Sequence, residues 1–288
     1  MKKSIFLFFL LAGLLFDAQN QRFTYEYKYR IDSTAKDKTE TELMRLDITP
    51  KGSKFYSKDY FESDSLMKTA IEKQVKGGNT DFDLSGFKFK GKVRYSVEKA
   101  YPAYSVNFFT TLGSDEYRVE DGRTQNWKIL QEKEKVGNFT VQKATCTFAG
   151  RKWTAWFSTD LPIQDGPYKF HGLPGLIVKM EDEGLTHTFE LKGVKKLPDT
   201  YDWKSTKDKE RYNPLITLNE IKYKKAFNDF RADPMKSERQ MMAQGVIIEE
   251  RDDSGKLIDP EKSRREQEKK MKEKIKKENN PIEIDLLK

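Results

Sequence analysis

The chain has 288 residues with a formal charge of +8, 35% charged and 12% aromatic residues, and a single cysteine. That length allows one large domain or two small ones with a real core, and one cysteine excludes an internal disulfide, so stability must come from packing. After the N-terminus no stretch approaches the roughly 20 apolar residues a membrane-crossing helix needs.

Lys2-Lys3, an apolar run from Ile5 to Phe16, and Ala18 before Gln19 form the pattern of a cleaved export signal over residues 1–18. A lipoprotein would need a cysteine directly after the cut, and the only one is Cys146. The expected product is a soluble periplasmic or secreted protein, one domain over residues 19–288, mainly strands to 198 and mainly helices from 199.

Phe23, Tyr25, Tyr27, Tyr29 and Ile31 alternate with polar residues, which predicts a strand with an aromatic inner face. Met44, Leu46 and Ile48 share one face of a second strand, and Pro50-Lys51-Gly52 turns the chain into a third over 54–57. Asp64 reads as the N-cap of a helix whose face is Leu66, Met67, Ala70, Ile71 and Val75, stopped by Gly77-Gly78. Further strands are predicted at 93–97, 104–110, 117–120, 127–130, 139–148 and 153–158, with hairpin chemistry at Asp121-Gly122 and Ala149-Gly150. A strand at 176–180 returns after Glu181-Asp182-Glu183-Gly184 through His187, Phe189 and Leu191.

Beyond residue 200, Thr217-Leu218-Asn219-Glu220 matches a capping box for a helix ended by Asp233-Pro234. A short strand at Val246-Ile247-Ile248, a turn at Asp252-Asp253-Ser254-Gly255, a charged helix from Pro260 to Asn279 and a docked final strand at 280–287 complete the reading. The fold class is mainly β (α+β): a curved antiparallel sheet or meander of about ten strands, one early helix and a helical C-terminal third.

The stretch from Gly166 to Met180 concentrates glycines, prolines and one of the two histidines ahead of an apolar strand. Leu173-Pro174-Gly175-Leu176 predicts a type II turn, with Pro174 at its second position and Gly175 supplying a positive φ at the third. Gly166, Pro167 and Gly172 add backbone exceptions upstream. Such a loop can present Tyr168, Lys169 and His171 rigidly, or can be a tight connection between two core strands.

Ala155-Trp156-Phe157, Leu161-Pro162-Ile163 and the run from Gly166 to Ile177 resemble the signature of the GLPGLI family, exported proteins of Bacteroidota without an established activity. The core Gly172, Leu173, Pro174, Gly175, Leu176 and Ile177 is present without departure. The resemblance extends to Lys143-Ala144-Thr145, Gly150-Arg151, Ser57, Asp64-Ser65-Leu66 and Asn280-Pro281-Ile282-Glu283. It implies an envelope location and a β-rich fold, and supplies no catalytic residues.

His171 has Asp160 and Asp165 nearby in sequence, a pairing that suits a general base. Metal ligands at recognisable spacing are not visible, and neither a metal nor a cofactor is expected. His187 falls on an apolar strand face and reads as a satisfied core histidine; Cys146 reads as a buried small residue. The charged helix mixes nine Lys or Arg with five Glu and reads as a solvated face, and no nucleic acid partner is expected. Tyr25, Tyr27, Tyr29, Phe108, Trp127, Trp153 and Trp156 can build a large core or line an open concavity for an apolar or carbohydrate ligand. The reading is therefore a non-enzymatic binding or interaction module with an envelope or outer-membrane protein partner, in an uptake or assembly system. Its candidate contacts are Tyr168, Lys169, His171 and Trp156. The competing reading is a hydrolase using His171 with a nearby Asp.

Overall fold

The computed structural model describes residues 20–77, 88–211, 214–243, 257 and 259–288. The expected export signal, Gly78, the strand at 246–248 and the turn at 252–255 lie outside the described residues. A single twelve-stranded sheet organises the chain. Its strands are β1 (Gln21–Tyr29), β2 (Glu40–Thr49), β3 (Gly52–Ser57), β4 (Ser96–Ala100), β5 (Ser105–Leu112), β6 (Asp115–Asp121), β7 (Lys128–Val136), β8 (Phe139–Phe148), β9 (Arg151–Ser158), β10 (Leu176–Asp182), β11 (His187–Lys196) and β12 (Ile216–Asn219). The spatial order is β12-β6-β5-β4-β3-β2-β1-β11-β10-β9-β8-β7. Every pairing is antiparallel except β12 with β6. Four helices accompany it: α1 (Lys58–Lys76), α2 (Glu220–Ala232), α3 (Lys236–Ala243) and α4 (Pro260–Lys277).

The connectivity forces the sheet to curl. β6 and β7 sit near opposite ends of the strand order, ten positions apart, yet only residues 122–127 join them. A flat sheet would separate them by about 48 Å at roughly 4.8 Å per strand, whereas that link reaches at most about 25 Å. The two ends therefore approach each other without pairing. Asp121-Gly122, expected to make a hairpin, instead opens the short bridge across the gap.

Alternation assigns the inner face. Phe23, Tyr25, Tyr27 and Tyr29 are all buried, as their period of two predicted, and pack with Met44, Leu46, Phe55, Phe108, Trp153, Phe157 and Phe189. Ala149 and Gly150 both take positive φ (52° and 78°), the signature of a type I′ hairpin turn, and close β8 on β9. The outer face of β1 to β4 is crossed by residues 197–206, whose Tyr201 hydroxyl and backbone engage Asp47, Lys54 and Glu98.

Three predicted elements are corrected. α1 begins six residues before Asp64 because Ser57 Oγ accepts the Tyr60 N–H at 3.1 Å and caps it, and Leu66, expected on the packed face, is exposed. Asn219, not Thr217, caps α2 by accepting the Lys222 N–H at 2.9 Å, because Thr217 is already committed to β12. The C-terminal segment docks, but residues Ile284–Leu287 form a 3₁₀ turn rather than a strand, with Asn280, Glu283 and Leu286 buried.

Candidate functional site

Residues 159–175 leave the end of β9, enter the hollow of the curled sheet, and return as β10. Their path is set by one buried lysine. Lys99 points inward from β4 and donates from Nζ to the carbonyls of Gly166 (2.8 Å), Tyr168 (3.0 Å) and Phe170 (3.3 Å), while its ammonium pairs with the Asp165 carboxylate. Lys99 and Asp165 are both wholly shielded from solvent. Asp165 also accepts from Ser53 Oγ at 2.6 Å, from Tyr101 and from the Gly166 N–H. Burial pulls the Lys99 ammonium below its ordinary value, and the Asp165 charge opposes that shift.

Tyr168 holds a left-handed backbone (φ 55°), uncommon for a side chain of its size, and its ring packs edge-on against Tyr95 and Phe108. Phe170 packs among Phe148, Trp153 and Trp127. Lys169 points the other way. Its Nζ lies 2.8 Å from Asp121 and 2.5 Å from Glu283, with the Phe108 ring 4.3 Å below. Arg123 bridges the same two carboxylates and Tyr168 donates to Glu283 at 2.7 Å. Burial raises the Asp121 and Glu283 carboxyls, but the Arg123 and Lys169 contacts outweigh it and hold both below the usual range.

The expected turn at 173–176 takes a different form. Gly175 does not adopt a positive φ; its N–H donates to the Leu173 carbonyl at 2.8 Å, a three-residue turn centred on Pro174. Glycine is required there by crowding, because a Cβ would lie 2.1 Å from the Ser158 carbonyl oxygen. The positive φ falls at Gly172 instead (90°).

The candidate contacts therefore separate. Tyr168 and Lys169 are buried, so neither faces a ligand, and their polar atoms are spent on the protein itself. Trp156 lies half-buried on the outer face of β9, with the Lys143 ammonium 5.7 Å over its ring. His171 alone of the loop candidates reaches the rim. Its ring stacks parallel to Tyr104 at 5.1 Å, its carbonyl accepts the Trp127 indole N–H at 2.8 Å, and its Nδ1 lies 3.0 Å from the Lys169 carbonyl. Because a carbonyl only accepts, Nδ1 carries the proton and Nε2 is the free acceptor. Burial, with the Lys99 charge, lowers the His171 pKa below its ordinary value. Asp165 and His171 meet as a backbone bridge, but the Asp165 carboxylate is committed to Lys99, and Asp160 is exposed at the surface.

His187 is buried between Tyr27 and the Asn280 carbonyl, a satisfied core histidine as its strand position indicated. Burial pushes the Cys146 thiol up to about 12. Tyr25, Tyr27, Tyr29, Phe108 and Trp153 are buried, and the hollow they line is filled by Tyr168 and Phe170. Among the described residues no group of three or more His, Cys, Asp or Glu is placed to hold a metal ion, and no helix is long and apolar enough to cross a membrane.

Residues 149–179 match the family described as "Protein of unknown function (Porph_ging)". That match is short and carries no activity. No curated protein matches the chain. Among solved structures it is similar to two chains, described as "Structure of PNGF-II in P21 space group" and "Structure of PNGF-II in C2 space group". Identities are 17% and 16%, TM-scores 0.46 and 0.45; 72% of this chain is covered in both, against 33% and 32% of theirs. The chain thus spans about a third of the length of those chains.

Proposed function

We propose that this is an exported envelope protein of the GLPGLI type from a Bacteroidota-like source, acting as a non-enzymatic interaction module for an outer-membrane protein partner in uptake or assembly. The export pattern of residues 1–18 and the run from Gly172 to Ile177 support the location and the kinship. One observation carries the activity. The loop turns its own charges inward, with Lys99 closing Asp165 and Lys169 closing Asp121 and Glu283, and presents His171 at the rim beside Tyr101, Tyr104 and Trp127, all half-buried. A rigid rim of rings with one free imidazole acceptor suits recognition by contact. The hydrolase alternative lacks comparable support, since Asp165 serves Lys99 and Asp160 is exposed at the surface, which leaves His171 without either expected carboxylate.

Cross-linked envelopes, pulled down on wild type and on His171→Ala, test the reading. A specific partner should be lost in the variant while thermal unfolding stays within a few degrees. An unchanged partner set at unchanged stability would remove the rim from consideration.

A further inference from the structure

A second surface lies on α4, outside the loop, and does not depend on what the rim recognises. Between Pro260 and Glu278 the chain carries nine Lys or Arg and five Glu, in one helical turn after another. The helix is fixed by one side. Ile275 is buried, Met271 is half-buried, and Arg231 from α2 donates to the Ile275 and Glu278 carbonyls at 2.9 and 3.0 Å.

The charges divide between faces. Glu261, Glu268 and Glu278 pair along the helix with Arg265, Lys272 and Lys274. Lys262, Lys269, Lys270, Lys276 and Lys277 are exposed and form no ion pair among the described residues. At 3.6 residues per turn, Lys262, Lys269 and Lys276 fall in one row about 21 Å long, with Lys270 and Lys277 beside it and only Glu266 and Glu273 between. This face has no apolar residue to insert into a bilayer. It offers a straight, pre-positioned line of ammonium groups.

We infer that the outer face of α4 docks the protein peripherally on a membrane surface rich in anionic lipid headgroups. A row of lysines on a rigid helix can meet a plane of phosphates along its whole length at once. Attraction of this kind is reversible, does not require insertion, and weakens as salt screens it.

The test uses the chain beginning at Gln19, so that the apolar run of residues 5–16 cannot itself insert, with vesicles of phosphatidylcholine alone or mixed with phosphatidylglycerol. Flotation should show binding to the anionic vesicles only, falling steeply between 50 and 500 mM NaCl. Each lysine near the surface contributes about a fivefold change in affinity, so Lys262→Glu/Lys269→Glu/Lys276→Glu should bind at least about 100-fold more weakly. Lys195→Glu/Lys196→Glu, at the exposed end of β11, should bind as wild type; circular dichroism confirms that both variants fold. Equal binding to neutral vesicles, equal loss in the β11 variant, or absence of binding at 50 mM NaCl each overturns the proposal. Displacement from the vesicles by a DNA oligomer at equal phosphate concentration would also overturn it, by showing a general polyanion site.

Discussion

The ammonium of Lys99 and the carboxylate of Asp165 form an ion pair that neither solvent nor any exposed side chain touches. It joins β4 to a loop that belongs to strands five and six places away in the sheet order. Pairs of this kind owe their cost on disruption to the charge left behind. Lys99→Met leaves Asp165 buried and three loop carbonyls without their donor, and should destabilise the fold by about 3–5 kcal/mol. Urea unfolding measures it. Lys99→Met/Asp165→Asn should cost less than the two single changes summed, by about 1–3 kcal/mol; additivity would mean the two groups are not coupled.

Gly172 and Gly175 are three residues apart and are constrained differently, which substitution can resolve. At Gly172 the requirement is the positive φ with open space for a side chain. Gly172→Ala should cost about 1–2 kcal/mol and Gly172→Asn less, since asparagine tolerates that region better. At Gly175 the requirement is the approach to Ser158. Gly175→Ala should cost at least about 3 kcal/mol, and Gly175→Asn more than Gly175→Ala. The rank order of alanine and asparagine at the two positions, read from denaturation midpoints, is the check.

The same pair shows what a sequence can carry. That residues 166–177 define a backbone shape was legible from their glycines and prolines alone, and so were the inward faces of β1, β2 and β11 from alternation. The wrong detail at Gly175 has a physical origin: a glycine needed for φ and one needed for close approach look identical until the neighbouring strand is in place. Lys99 and Asp121 were missed because a charged residue within a strand reads as outward-facing, and only the loop and tail that cover them make an inward position tolerable. Glu283 gave a faint signal, as a lone carboxylate between Ile282 and Ile284. The curvature of the sheet was expected, but the approach of its two ends was hidden because it depends on the β6 to β7 link, whose glycine imitates a hairpin.

His187 gives the fold a pH dependence whose sign is fixed. Burial, with the Arg151 charge, lowers its pKa from 6.5 to about 4. Tyr27 contacts Nδ1 of the ring, while Asp182 and the Asn280 carbonyl oppose the shift without cancelling it. The unfolded chain therefore takes up a proton that the folded chain refuses. This contribution is complete above pH 6.5, is lost as pH falls towards 4, and amounts to about 3 kcal/mol. His187→Gln retains a donor for Asn280 and should flatten the stability slope between pH 4 and 6.5. An unaltered slope would assign it to other groups.

Glu283 ties the C-terminal segment to the loop, and its removal should affect both. It accepts from Tyr168 and pairs with Lys169 and Arg123, while Arg151 holds the neighbouring Asn280, Pro281 and Ile282. Buried Lys169 and half-buried Arg123 then face Asp121 and Glu283, and Arg123 also reaches Asp285 at 3.4 Å. Glu283→Gln leaves buried Lys169 to share Asp121 with Arg123 and should cost about 3 kcal/mol. Its local effect is distinctive. Tyr168 and Lys169 lose their shared acceptor, so amide exchange should accelerate across residues 166–172 before it does in β1 or β2. Since both carboxylates are held below the usual range, this stabilisation is present above the ordinary carboxylate pKa and is lost as pH falls through their lowered values. Glu283→Gln should thus begin acid unfolding at higher pH than wild type. Exchange that accelerates uniformly over the sheet instead would make the tail a general brace, with no particular hold on the loop.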